Sequence, residues 1–212
     1  MKTTISQAIQ DSIAVKQKLL GQVDEIERAT QIIIESLLSG KKIVLFGNGG
    51  SASDAENIAA ELVGRFEADR PGVPAIALTT NSSSFSAISN DYGYSTVFAR
   101  QVEAFVREGD VAIGISTSGN SPNVVEGIRT AKQLGARTIG ISGRDGGKLK
   151  DVAEVCIVVQ SDKSSRIQEA HILIGHVICQ QVEQVALRDP RLQPPHKARN
   201  GNGHANLQNV KG

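Results

Sequence analysis

Apolar residues return at helical spacing through residues 3–39: Ile5, Ile9, Ile13, Leu19 and Leu20, then Val23, Ile26, Ile32, Ile33, Leu37 and Leu38. The spacing predicts two helices, the second closed by Gly40. Beyond Gly40 the pattern changes. KKIVLFGNGGS is a short apolar run that ends in glycine, which predicts a buried strand feeding a tight turn. Similar runs follow at 73–80, 109–117, 136–142 and 153–159. Each is apolar throughout, as parallel strands are when helices cover both faces. Helical patterns separate them at 53–66, 96–106, 122–134 and 164–187. Strands alternating with helices predict an α/β fold, a three-layer αβα sandwich on a five-stranded parallel sheet preceded by two helices. The pattern stops at the end of the last helix. Residues 189–212, DPRLQPPHKARNGNGHANLQNVKG, are rich in Pro, Gly and Asn and cannot build a core. One domain over 1–188 with a disordered tail over 189–212 is therefore expected, and His196 and His204, in that tail, are assigned no role.

Composition narrows the class of partner. Lys plus Arg number 23 against 22 Asp plus Glu, so no strong positive field argues for a nucleic acid. Aromatic residues are 3% with no Trp, too few for a base-stacking surface. No apolar run approaches the roughly 18 residues of a membrane span. The start, MKTTISQAIQDS, has no signal-peptide apolar core. The expectation is a soluble cytoplasmic protein. Cys156 and Cys179 sit in apolar runs and read as small buried hydrophobes in a reducing compartment.

In open parallel sheets, ligands bind where strands run into helices at their carboxyl ends. Two such turns stand out. The first is Gly47-Asn48-Gly49-Gly50-Ser51-Ala52-Ser53-Asp54. Its glycines permit a sharp turn and a close ligand approach to backbone amides, and Ser51, Ser53 and Asp54 suit a helix start. No Gly-Lys-Ser/Thr follows, so it is not a Walker loop. It matches G-x-G-x-x-A, but the acidic residue expected at the end of the next strand is replaced by Thr79 and Thr80. No nucleotide cofactor is expected. The second turn is Ser116-Thr117-Ser118-Gly119-Asn120-Ser121-Pro122-Asn123. Pro122 suits the first helical position, making Ser121 the N-cap. Four hydroxyls beside a helix N-terminus exceed what one cap needs and predict a phosphate site.

IVLFGNGGSASDA, AISNDYG, GISTSGNSPNV and SRIQEAHILIGH, in that order, resemble the sugar isomerase (SIS) domain. More narrowly the chain is similar to the phosphoheptose isomerases over about residues 5–187. STSGN alone marks the SIS fold; its combination with GNGGS, NDYG and RIQE-x-H is more specific. The resemblance implies a flavodoxin-like sheet and conversion of sedoheptulose 7-phosphate to D-glycero-D-manno-heptose 7-phosphate, feeding activated-heptose synthesis for lipopolysaccharide or other surface glycans. It implies that Asn48, Gly49, Gly50 and Ser51 hold the sugar and Ser116, Thr117, Ser118 and Ser121 the phosphate. Asn90 and Asp91 would meet sugar hydroxyls, and Arg65 would lie on the substrate side. Glu61 and His176 match the family's acid/base pair, and Gln168 a residue touching substrate and metal. His171 matches a family histidine without an evident chemical role.

That chemistry is coherent. Ketose–aldose exchange through an enediol needs a base at carbon and an acid at the carbonyl oxygen, and a carboxylate with an imidazole supplies both. Gln168 and His176 are eight residues apart on one predicted helix, roughly 12 Å along its axis. They do not easily reach one substrate from one chain, so one of them is expected to serve a neighbouring subunit. A homotetramer, the family's assembly, with sites at subunit interfaces is therefore expected. One departure concerns zinc. The family's metal histidine, one turn before Glu61, is here Asn57, a poor zinc ligand. Only a weak site of Glu61, Gln168 and His176 remains. The same departure keeps two other readings open: a non-catalytic SIS tetramer that binds the replication initiator, and a phosphosugar-sensing regulatory protein. Retention of Glu61 and His176 favours an enzyme.

Overall fold

Five strands form one wholly parallel sheet in the computed structural model, which describes residues 1–193. They are β1 (Ile43–Gly47), β2 (Ala75–Ala77), β3 (Val111–Ser116), β4 (Arg137–Gly143) and β5 (Val155–Val159), in the order β2-β1-β3-β4-β5. Alternation along the strands sorts two cores. Ile43 and Leu45 face one way, with Ile113, Ile115, Ile139 and Ile141, while Val44, Phe46 and Ala112 face the other. The first face is covered by α2 (Val23–Leu38), α3 (Gly50–Val63) and α8 (Ser164–Ala186). The second is covered by α5 (Val97–Phe105), α6 (Pro122–Gln133) and α7 (Gly147–Val152). The three-layer sandwich and the two N-terminal helices, α1 (Lys2–Lys18) and α2, match the expectation from hydrophobic periodicity.

Three local features depart from that expectation. β2 is an edge strand of three residues with Ile76 exposed, not a strand covered on both faces. Pro74, just before it, has no amide to donate, and the polar pair Thr79-Thr80 follows Leu78. Two helices escape the periodicity: α4 (Ser82–Tyr92), which is serine-rich with no buried residue, and the six-residue α7. Residues 189–193, placed in the expected tail, hold a short 3-10 turn. Pro190 opens it, Asp189 accepts from the Arg191 amide (2.9 Å), and the Gln193 side chain donates to the Ala186 carbonyl (2.6 Å). The rest of the tail, with His196 and His204, lies outside the described residues.

The helices that matter most are α3 and α8. Gly50 at the start of α3 lies against Gln168, Ile58 against Gly175, and the Cys179 thiol against the Ile58 carbonyl. The two helices therefore run parallel and in step. A Cβ on Gly175 would lie 2.5 Å from the Ile58 side chain, so glycine sets how closely they approach. The far end of α3 is held by a buried ion pair. Arg70 donates to the carbonyls of Glu61 (2.7 Å) and Leu62 (2.8 Å), which the end of the helix leaves free. Its Nε lies 3.3 Å from Glu183 Oε1, outside hydrogen-bonding geometry. Glu183, on α8, also accepts from the amides of Phe66, Glu67 and Ala68. Burial alone raises its carboxyl pKa; the three amides and Arg70 overcome this and hold it below the usual carboxylate range.

Removing one partner of such a pair leaves the other charge buried and unpaired. Glu183→Ala is expected to lower unfolding free energy by about 3–5 kcal/mol, read from the urea midpoint. A midpoint within error of the parent would show that the pair does not hold the α3–α8 junction.

Candidate active site

β1 and β3 are neighbours, but their connections diverge: α3 crosses to one face of the sheet and α6 to the other. That divergence opens the crevice where ligands bind in such sheets, and both sequence-predicted turns line it. The glycine turn leaves β1 through Asn48 and Gly49, whose φ of 56° and ψ of −120° suit glycine alone, and enters α3 at Gly50. Ser51 is buried on the first turn, while Gly49 and Gly50 are exposed.

The hydroxyl turn leaves β3 at Ser116 and enters α6 with Pro122 in its first turn and Ser121 as N-cap. The Ser121 hydroxyl makes no capping bond. It lies 3.0 Å from the Ser116 hydroxyl, which is 3.5 Å from that of Ser118. Three hydroxyls thus cluster at the positive end of a helix, with Thr117 half-buried beside them. The turn is braced from outside by the first turn of α7. The Leu149 amide donates to the Gly119 carbonyl (2.9 Å) and the Lys148 amide to Asn120 Oδ1 (3.1 Å).

One pair of residues joins the two turns. Asn48 and Asn123 exchange side-chain hydrogen bonds, 2.8 Å each way, and the Tyr94 hydroxyl donates to Asn48 Oδ1 at 2.8 Å. The Asn48 amide, assigned from the sequence to the sugar, is thus engaged in holding the crevice. Tyr94 and Asn123 are functional positions that sequence reasoning does not pick out. Their only signals were their places, one residue beyond NDYG and one beyond Pro122. Asn90 and Asp91 end α4, where Asn90 Nδ2 donates to Asp91 Oδ1 at 2.8 Å and both side chains are exposed.

The remaining predicted residues divide into two groups. Gln168 lies directly on Gly50: a Cβ there would sit 2.1 Å from its Nε2. His176 lies further along α8, with Nε2 3.3 Å from Asn57 Oδ1 and its ring 5.5 Å from that of Phe66. Glu61 is one turn beyond Asn57 on α3, half-buried, and Arg65 follows the helix, exposed, donating to the Glu67 carbonyl (3.3 Å). Ten residues separate Ser51 from Glu61, about 15 Å of helix rise. The structure therefore places Glu61 and His176 in one region and the two turns with Gln168 in another. Among the described residues no three His, Cys, Asp or Glu side chains converge on one point. The side chain facing His176 from α3 is the Asn57 amide, a poor zinc ligand.

Burial perturbs four more titratable groups. His171 is fully buried, one turn beyond Gln168, and burial pushes its pKa down to about 4. Both thiols are free and burial pushes them up to about 12, although Cys156 is only half-buried rather than fully enclosed. Thiols so protonated are poor nucleophiles. Asp54, one turn into α3, has Oδ2 buried without a partner, and burial raises its carboxyl to about 6.

With geometry in place, relatives decide the family. The SIS domain family model matches residues 9–143. The phosphoheptose isomerase of Clostridium acetobutylicum is 49% identical over 187 residues, covering 87% of this chain and 95% of that protein. That of Aquifex aeolicus is 56% identical over 154 residues, 73% and 81% of the two chains. This chain belongs to the phosphoheptose isomerase family of SIS-domain proteins. The solved phosphoheptose isomerase of Neisseria gonorrhoeae superposes with a TM-score of 0.82 at 39% identity, covering 87% of this chain and 99% of that one. The Francisella tularensis structure gives 0.83 at 33% identity, covering 86% and 97%. Among the described residues of this family member, no helix is long and apolar enough to cross a membrane.

The Asp54 carboxyl gives a pH test. Its native pKa lies above the unfolded value near 3.9, so the native state holds the proton more tightly. The associated stability is complete below about pH 4 and is lost as pH rises through about 6. Asp54→Asn removes the ionisation. Its urea midpoint is expected to exceed the parent's at pH 8, with that advantage gone by pH 4.5. An equal difference at both pH values would mean that Asp54 does not ionise in a desolvated setting.

Proposed function

We propose that this chain is a sedoheptulose 7-phosphate isomerase that forms the aldose D-glycero-D-manno-heptose 7-phosphate in the cytoplasm, for activated-heptose and surface-glycan synthesis. The observation that carries the reading is the glycine turn and the hydroxyl turn facing each other at the β1/β3 crevice, tied by Asn48 and Asn123. Ser116, Thr117, Ser118 and Ser121 take the phosphate, where hydroxyls and the α6 dipole serve in place of lysine or arginine. Gly49, Gly50, Ser51 and Gln168 take the sugar, with Asn90 and Asp91 at its hydroxyls and Arg65 on the substrate side.

The proton chemistry belongs to Glu61 and His176. One removes the C1 proton while the other protonates the C2 carbonyl oxygen, giving the enediol. Return of a proton to C2 and loss of the O1 proton complete the aldehyde, with no net change in redox state or protons. No step is routed through a metal.

The distance between the two groups of residues supports sites shared between subunits of a homotetramer. Gln168 stays with the turns of its own chain, so His176, with Glu61, serves a neighbour. An unpartnered apolar surface is available for assembly. Ile5, Ile9 and Ile13 form an exposed stripe on α1, and Leu20, Val23 and Leu173 rim an apolar groove between the N-terminal helices and α8.

The first experiment follows aldose formation from sedoheptulose 7-phosphate by NMR. Turnover is expected in the parent, to fall at least 100-fold in Glu61→Gln, and to survive EDTA. No turnover in the parent with the phosphosugar still bound would overturn the enzyme in favour of a sensor or adaptor. The second experiment mixes subunits. Glu61→Gln and Ser116→Ala are each expected to be inactive, and refolding them together should restore part of the activity. No recovery would place Glu61 and the hydroxyl turn in the same chain's site.

A further inference from the structure

His171 is wholly buried on α8, and the acid/base chemistry makes no use of it. Its Nε2 lies 3.0 Å from the Ser142 carbonyl oxygen, and its Nδ1 is buried with no partner. A carbonyl oxygen only accepts, so Nε2 carries the proton and Nδ1 is a bare acceptor. The low pKa that burial imposes agrees with a neutral ring.

The position of Ser142 gives that bond its meaning. Ser142 is in β4, directly under the hydroxyl turn: a Cβ on Gly119 would lie 2.7 Å from the Ser142 hydroxyl. That hydroxyl donates to the Gly146 carbonyl (3.1 Å) in the segment that braces the turn. The next residue, Gly143, is enclosed: a Cβ there would lie 2.6 Å from both the Thr117 carbonyl and Ile167 of α8. Three contacts from the first two turns of α8 therefore reach the crevice. Ile167 presses on Gly143, Gln168 lies on Gly50, and His171 bonds Ser142. The first two are contacts of shape; only the third fixes a direction.

We propose that His171 is a positioning residue for Gln168: its Nε2–H bond to the Ser142 carbonyl sets the register of α8, and so holds the Gln168 amide against the sugar turn at Gly50. This rests on the isomerase reading and deepens it. A displacement of about 1 Å in a group that orients substrate costs on the order of 100-fold in rate, so a single directional bond one turn away is enough to matter.

The test compares His171→Leu, which keeps bulk and loses the donor, with His171→Gln, which places an N–H donor near the same point. Leu is expected to lower kcat about 10- to 100-fold with KM changed less than about threefold, and Gln to recover most of the loss. In a Gln168→Ala background the Leu substitution is expected to cost under about threefold, because the residue acts through Gln168. Equal damage by Leu and Gln, or the full Leu effect without Gln168, would overturn the proposal. Should Leu fail to fold, the imidazole 15N spectrum of the parent protein decides. The Nε2–H tautomer is expected for His171, with a shift when inorganic phosphate or sedoheptulose 7-phosphate binds. An Nδ1–H tautomer, or no response to either ligand, would overturn it. Failure of turnover in the parent would sink the isomerase reading separately, since the spectrum needs only binding.

Discussion

The crevice depends on the exchange of hydrogen bonds between Asn48 and Asn123. β1 and β3 are held together along their length by the sheet, but beyond their last residues nothing in the ladder controls how far the two turns diverge. Two side-chain amides, each donating to and accepting from the other, close that gap with fixed geometry and no net charge. Asn123 is buried, so an unmatched partner would cost the desolvation of its amide, about 1–3 kcal/mol. A carboxylate at either position would accept and not donate, and would bring a negative charge beside a turn suited to phosphate.

α8 is the second organising element, because it touches both turns and the far end of α3. Its N-terminal half reaches Gly50, Ser142 and Gly143, and its C-terminal half carries Glu183 to Arg70. Helix against helix, close packing allows little sliding, and Gly175 against Ile58 brings the backbones nearer than any larger residue would permit. A shift of α8 would therefore be felt at the sugar turn, the phosphate turn and the Glu61 carbonyl together. Arg70 holds that carbonyl, and with it the last turn of the helix that carries the proposed base.

How much of this was legible in the sequence follows from the forces involved. The strands and long helices were legible because burial on two faces writes a period into the chain. Both turns were legible because glycine and clustered hydroxyls are rare enough to signal a special backbone. α4 was hidden because its serines carry no apolar stripe, and α7 because six residues are too few to show one. The bracing network was hidden for a deeper reason. Asn48 with Asn123, His171 with Ser142, and Arg70 with Glu183 are partners 75, 29 and 113 positions apart, and no local pattern reports such pairings. Sequence could name Asn48 as a site residue but could not say that its amide faces another asparagine. The family resemblance named Glu61, Gln168 and His176 as candidates, and helix geometry on its own indicated that Gln168 and His176 do not easily reach one substrate from one chain.

The same separation recurs along α3. One rigid helix begins at the sugar turn and ends at Glu61, about 15 Å away by its rise. No side-chain rotation spans such a distance, and the packing of α3 against α8 along its length leaves no hinge to bring the ends together. Under the proposed chemistry the proton-transfer groups and the phosphate-holding turn must nonetheless meet around one short sugar. A second subunit resolves the conflict, since a two-fold related copy can present the far end of its own α3 and α8 to the crevice of the first. The exposed isoleucines of α1 and the apolar groove beside α8 lie on the same side of the sheet as those helices, so the surface that a partner would cover adjoins the residues that it would deliver.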